Sequence, residues 1–350
     1  MRILEIILLI TITVLPFYIS TKKFPSNKKV LLSIIGALLV LHFLIEGYRW
    51  QMIPAYLTIL ILAWCISKEY SFFKGGWFRK AISGLALIIL LFLGWILPYL
   101  LPVFDLPETT GKYKVGAQDI HLITNQDEPI TLEKGDKREL MIKAWYPAKI
   151  NNEEKEGFLN QAERIGFAVK YGLPTSIFNY LDHVNTNTFV NPAVEDGKFP
   201  VLIFSHGQYS NATGYYSILE EIVSHGYIVL NINHTYESVG SLFPNGEIKL
   251  FDKAWDKKNI NEEMAQMAWN LKQNYKKATT FEEKLKVSEN AIRNYVAAEI
   301  TLRWSNDISS VIDEINNWNK TSFLANHMDT SKIGAFGHSQ GGAAAGQASS

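Results

Sequence analysis

Lys332-Ile333-Gly334-Ala335-Phe336-Gly337-His338-Ser339-Gln340-Gly341-Gly342 is the stretch that decides the fold. An apolar run, Ile333 to Phe336, leads into a Gly-x-Ser-x-Gly pentapeptide at Gly337 to Gly341, and the small residues Gly342 to Gly346 can open a helix after it. A serine on such a tight strand-to-helix turn has its hydroxyl thrust clear of the sheet. Glycines flank it because side chains there would collide with the neighbouring strand and helix. The same pentapeptide also occurs as a plain structural glycine turn. The strand and helix signals on either side favour a nucleophile at Ser339.

Upstream, Val201 to Phe204 and Tyr227 to Ile232 are short continuous apolar runs, as expected of strands buried on both faces. Between them Tyr215 to Val223 reads as a helix ended by Gly226. Trp304, Ile308, Val311, Ile312 and Ile315 share one face of a crossover helix just before the elbow strand. Lys112 to Thr124 and Glu139 to Tyr146 alternate like strands around the polar turn Lys134-Gly135-Asp136. Strands alternating with helices predict an α/β domain over residues 105–350, with a mostly parallel sheet and helices on both faces. Residues 251–296 read as a helical insertion, with Met264, Met267, Ala268, Leu271 and Tyr275 on one helix face. It is either a lid or membrane-contacting cap, or a solvated helical hairpin.

Residues 1–104 are of a different character. Four apolar stretches, Ile3 to Ile19, Val30 to Ile45, Ile53 to Ile66 and Ala81 to Phe104, predict a transmembrane helical region of about four helices. The first, second and fourth reach spanning length once flanking residues are counted, and the third is marginal. A secretory signal is the competing reading of the first, but no small-x-small cleavage site precedes its lysines. Lys22, Lys23, Lys28 and Lys29 lie in one connecting loop and Lys68, Lys74, Arg79 and Lys80 in another, which the positive-inside rule puts in the cytoplasm. The chain is then a multi-pass protein of the cell membrane whose larger domain is extracytoplasmic. His42, Glu46 and Glu5 are expected to reach the headgroup region rather than to form a proton path. Cys65, the single cysteine, reads as a small buried hydrophobe.

The chemistry expected at Ser339 is acyl transfer, which needs donors for an oxyanion. One is the backbone N–H of Gln340; the other is the amide of Gln208, after the sharp turn in Phe204-Ser205-His206-Gly207-Gln208. His206, Gly207 and His234 are expected to line the substrate pocket. In this fold the acid and the histidine follow the serine, yet no Asp, Glu or His follows Ser339. Residues 105–350 are therefore expected to be a hydrolase domain incomplete at its C-terminal end, and the chain unable to hydrolyse esters at a useful rate. Asp307, Asp313 and His327 lie upstream, where only a rearranged triad would use them. Zero net charge over 350 residues argues against nucleic acid as a partner. Without a metal-ligand or phosphate-loop signature, no cofactor is expected. Asn211-Ala212-Thr213 and Asn319-Lys320-Thr321 match glycosylation sequons.

Four segments together resemble the platelet-activating factor acetylhydrolase family of the plasma type, within the dienelactone-hydrolase-like α/β-hydrolases. They are Ala144-Trp145-Tyr146-Pro147, Phe204-Ser205-His206-Gly207, Ser224-His225-Gly226-Tyr227-Ile228-Val229 with His234 after it, and Lys332 to Gly342. The resemblance spans roughly Lys112 to Ser350 and leaves out the apolar N-terminal region. It implies calcium-independent hydrolysis of short or oxidised acyl chains of phospholipids, with Ser339 as nucleophile and the Gln208 and Gln340 amides as oxyanion donors. Alternatives are an esterase of the same fold acting on small soluble esters or polyesters, and a non-catalytic membrane protein whose hydrolase-like domain binds a partner.

Overall fold

The computed structural model describes residues 1–21, 27–70, 75–131, 133–259, 262–294 and 297–349. The chain divides into two compact units, one of Met1–Asp105 with Asn179–Val184, the other of Leu106–Phe178 with Asn185–Ser350.

The first unit holds α1 (Ile3–Thr21), α2 (Lys28–Ile45), α3 (Ile53–Ser67) and α4 (Trp77–Leu100). Leu8, Leu9, Ile12, Ile59, Leu62 and Ile66 are buried between the helices, while Phe17, Leu44, Leu60, Leu85, Ile88 and Phe92 face outward. A bundle apolar outside as well as inside suits a lipid environment. Lys28–Ile45, Trp50–Ser67 and Trp77–Leu100 are each long and apolar enough to cross a membrane, and the apolar stretch Ile3–Ile19 lies within α1. The sequence ranked the first run above the third. A 3-10 turn at Trp50–Met52 extends α3 backwards, which brings the third to spanning length as well. The last helix also stops at Leu100, short of Phe104. Lys22, Lys23 and Lys74 lie outside the described residues.

His42 and Glu5, near the ends of α2 and α1, are both fully buried within the protein. Glu5 accepts from Arg49 Nε at 2.6 Å and Nη2 at 2.7 Å, and Arg49 Nη1 donates to the Leu101 carbonyl at 2.7 Å. His42 bonds Glu46 Oε2 at 3.1 Å and the Tyr56 hydroxyl at 2.7 Å. These polar groups satisfy one another, tying together the ends of the helices that carry them. Asn179–Val184 joins this unit through His183, whose Nε2–H donates to the Tyr48 carbonyl at 2.9 Å.

The second unit runs β1 (Lys114–Asp127), β2 (Lys137–Lys149), β3 (Lys155–Gly157), α5 (Gln161–Lys170), β4 (Asn185–Val190), β5 (Ala193–Val194), β6 (Phe199–Ser205), α6 (Tyr216–Ser224) and β7 (Ile228–Asn233). After the small hairpin β8 (Gly240–Leu242) and β9 (Ile248–Leu250) come α7 (Lys253–Asn259), α8 (Glu262–Lys277), α9 (Phe281–Asn294), α10 (Ala297–Thr321), β10 (Met328–Gly337) and α11 (Gln340–Ala348). The main sheet has the order β10-β6-β7-β2-β1-β4-β3, with β5 on β2. β10, β6 and β7 are mutually parallel, and β2 runs antiparallel to both β7 and β1.

Helices cover both faces of this sheet. On one, Trp304, Ile308, Val311 and Ile315 of α10 and Ala344 and Ala345 of α11 pack on Ile142, Ile203 and Leu230. On the other, Tyr216, Leu219 and Val223 of α6 pack on Val115, Trp145 and Val229. β7 is buried at every residue, so its apolar run does not alternate. In the insertion, α8 and α9 form an exposed pair; Met267, Trp269 and Tyr275 of α8 are among its exposed apolar side chains. The Met264 side chain and Tyr295 lie outside the described residues. The sheet order brings the carboxyl ends of β10, β6 and β7 side by side, and these ends carry Ser339, His206 and His234.

Candidate active site

At the end of β10 the chain turns through Ser339 at φ 52°, ψ −118°, a region that L-residues avoid. The turn is held by close backbone contact. A Cβ on Gly337 would lie 2.4 Å from the Gly341 carbonyl carbon, and one on Gly341 would lie 2.1 Å from the Ser205 carbonyl oxygen. Neither position therefore admits any side chain. The His338 amide donates to that same Ser205 carbonyl at 3.1 Å, and the Gly341 amide to the His338 carbonyl at 2.9 Å. Ser339 itself is exposed, and among the described residues nothing hydrogen-bonds its hydroxyl. Gly341→Ala is expected to destabilise this unit by about 3 kcal/mol through overpacking against backbone. Gly346→Ala, where a Cβ meets nothing within 4 Å, should be neutral or slightly stabilising; denaturant unfolding of the two variants measures the contrast.

The neighbouring loop begins where β6 ends. The Ser210 amide donates to the Gly207 carbonyl at 3.1 Å, closing a four-residue turn with Tyr209 at φ 62°, the positive φ that a type II turn needs at its third residue. Gln208 is the second residue of that turn, and among the described residues nothing accepts a hydrogen bond from its amide. The Gly207 amide donates to the Tyr215 hydroxyl at 3.0 Å, which in turn bonds His338 Nδ1 at 3.0 Å. Tyr215 thus clamps the loop to the elbow. Gly207 is needed here because a Cβ would fall 2.7 Å from His338 Nδ1. Gln340 is the first residue of α11, where the helix supplies no acceptor for the amide. Its side-chain Nε2 donates to Thr301 Oγ1 at 2.6 Å.

Behind the loop lies a buried polar chain that sequence reasoning missed. Ser205 Oγ–H donates to His234 Nε2 at 2.8 Å, and His234 Nδ1–H donates to Asp307 Oδ2 at 2.7 Å. The His234 ring stacks on Trp304, centroids 4.0 Å apart and planes within 5°. Asp307 receives Arg138 Nε at 2.6 Å and Nη2 at 2.7 Å, and the same guanidinium serves Glu128 and Glu237. Arg138, Asp307, Ser205, His206 and His234 are all fully buried. Burial pushes the Asp307 carboxyl up, but the Arg138 charge and the His234 bond hold it well below the usual carboxylate range. Burial also depresses both imidazoles, His206 to about 3, so both rings stay neutral. The order Ser205, His234, Asp307 has the chemistry of a triad, but it is sealed from solvent.

This corrects the expectation that His206 and His234 line the substrate pocket. Neither ring reaches the surface, and all ring nitrogens are occupied from within. His338, beside the serine, is held by Tyr215. Asp307, expected to matter only in a rearranged triad, is the carboxylate partner of His234 and does not bond Ser339. The signal for it was present: a charged residue one turn from Trp304 and Val311 on an otherwise buried helix face demands a buried cation or donor. Asn211 of the first sequon is buried with its amide on Thr213, so it offers no acceptor for a glycan. Asn319 of the second bonds both the amide and the carbonyl of Met328.

Residues 102–350 match the family described as Platelet-activating factor acetylhydrolase, isoform II. The chain belongs to this family. A platelet-activating factor acetylhydrolase from Gallus gallus is 27% identical over 210 residues, covering 57% of this chain and 45% of that protein. A solved structure of a ferulic acid esterase from Streptomyces cinnamoneus superposes with a TM-score of 0.52 at 20% identity, over 71% of this chain and 58% of that one. The likeness to the esterase shows a shared α/β-hydrolase fold. The chain spans about half the length of the acetylhydrolase it matches. Membership of the acetylhydrolase family agrees with the resemblance carried by Phe204-Ser205-His206-Gly207 and the elbow.

Proposed function

We propose that the second unit carries the nucleophile and oxyanion site of a serine carboxylic-ester hydrolase acting on short or oxidised acyl chains of phospholipids. The observation that carries this reading is Ser339, exposed and without a hydroxyl partner among the described residues, on a strained elbow beside a loop whose Gln208 amide has no acceptor there. The Ser339 oxygen attacks the ester carbonyl, its proton passing to a base. Charge gathers on the carbonyl oxygen, where the Gln208 and Gln340 amides donate. Collapse expels the alcohol and leaves an acyl-serine, which water then hydrolyses.

His206, His234 and His338 are each committed elsewhere, so none of them is assigned as the base. The apolar helices of the first unit and the lysines of its loops support a multi-pass protein with the hydrolase unit on the outer face. Such an anchor would keep the site near acyl-lipid substrate.

The test is a substrate profile of the full-length protein reconstituted in detergent or lipid. Phospholipids with an acetyl or oxidised chain at the second glycerol position should exceed long-chain phospholipids and soluble short-chain esters in kcat/KM by at least about tenfold, a factor worth about 1.4 kcal/mol at the transition state. Equal or faster turnover of soluble esters would replace the lipid reading with a general esterase. No turnover of any ester, with no labelling of Ser339 by a fluorophosphonate, would favour a binding module.

A further inference from the structure

We propose that His206 is a positioning residue for the reaction: by holding the Gly207 carbonyl it aims the Gln208 amide at the oxyanion. This rests on the reading of Ser339 as nucleophile. The two nitrogens of the buried ring have distinct partners. Nε2 accepts from the backbone amide of His234 at 3.3 Å, which leaves the proton on Nδ1, and Nδ1–H donates to the Gly207 carbonyl at 2.8 Å. In a trans peptide the C=O and the following N–H point in opposite directions. A bond that draws the Gly207 oxygen inward therefore turns the Gln208 N–H outward.

The Ser210 amide also holds that oxygen, but the two bonds do different work. The turn bond fixes the peptide within the loop alone. The imidazole fixes it relative to the sheet, because its other nitrogen is attached just beyond the end of β7. His234 is itself immobilised by Ser205, Asp307 and the Trp304 ring, and Arg138 on β2 anchors Asp307. The result is an unbroken chain of contacts from the middle of the sheet to one amide. His206 also packs edge-on against both rings, with centroids 5.0 Å from His234 and 5.0 Å from Trp304.

Two substitutions separate positioning from packing. In His206→Asn the amide nitrogen can occupy the place of Nδ1 and still donate to the Gly207 carbonyl. In His206→Gln the longer side chain can accept from the His234 amide in the place of Nε2 but presents no donor at the Nδ1 position. The full-length protein is assayed for ester kcat and KM, with Ser339→Ala as reference and thermal unfolding measured for each variant. His206→Gln should lose about 100-fold in kcat, the scale of an ångström misplacement, with KM within about threefold of the parent. His206→Asn should retain kcat within about tenfold at a similar unfolding temperature. Equal kcat in the two variants, whether both high or both low, would overturn the assignment. If Ser339→Ala keeps its activity, it is the nucleophile reading that fails, an outcome distinct from the failure of His206.

Discussion

Ser339→Ala in the full-length protein is expected to lower ester turnover by at least about 10⁴-fold, the scale seen when an acyl-transfer nucleophile is removed. The same variant should take up no fluorophosphonate. Its stability should stay within about 0.5 kcal/mol of the parent, because the exposed hydroxyl has no partner among the described residues to lose. Relief of the unfavourable φ is not expected, since alanine is as constrained there as serine. Steady-state kinetics and denaturant unfolding measure the two effects separately. A variant that unfolds early as well as losing turnover would show that Ser339 is a structural residue of the turn.

Arg138→Met should have the largest effect on stability. It removes one guanidinium that serves three buried carboxylates, Asp307, Glu128 and Glu237. Glu237 keeps Arg303, but Asp307 is left with His234. Stripping one partner from a buried ion pair typically costs about 3–5 kcal/mol, because a buried charge is left uncompensated.

The pH dependence should change as well. In the parent, Asp307 is held below its unfolded value, so its contribution is present above the unfolded carboxylate pKa and is lost as pH falls. In the variant burial dominates, and the folded-state pKa rises above the unfolded one. The folded state then binds the extra proton, and stability recovers as pH falls from neutral. Unfolding followed at pH 7.5 and pH 5.5 should show the variant gaining on the parent at the lower pH. A loss under about 1 kcal/mol, with no change of slope, would mean that the network does not hold the sheet's carboxyl edge.

Local signals carried most of the fold. Gly337 and Gly341 could be read because the elbow's steric demand falls on residues two apart from Ser339, and the structure shows a Cβ refused at both. The buried strands β6, β7 and β10 and the crossover α10 were legible as apolar runs and a helical stripe. The short strands β3, β5, β8 and β9 carry too few residues for any period, and they passed unnoticed. The Ser205, His234 and Asp307 chain was hidden for a different reason. Its members lie 29 and 73 residues apart, and only strand order brings them together. His206 and His234 were assigned to a pocket because they end strands at the carboxyl edge, which holds for their backbone. Their rings turn inward, a choice set by Trp304 and Asp307 on α10. His42 and Glu5 are likewise buried, paired with Tyr56 on α3 and with Arg49 on the segment before it.

The central claim is that the Ser339 hydroxyl and the Gln208 and Gln340 amides converge on one point. The most direct measurement is a crystal structure of the full-length protein after reaction with a fluorophosphonate. Phosphorus bonded to Ser339 Oγ, with one phosphoryl oxygen about 2.7–3.1 Å from both amide nitrogens, is the expected result. An adduct on another residue, or on Ser339 with that oxygen turned away from the two amides, would contradict it.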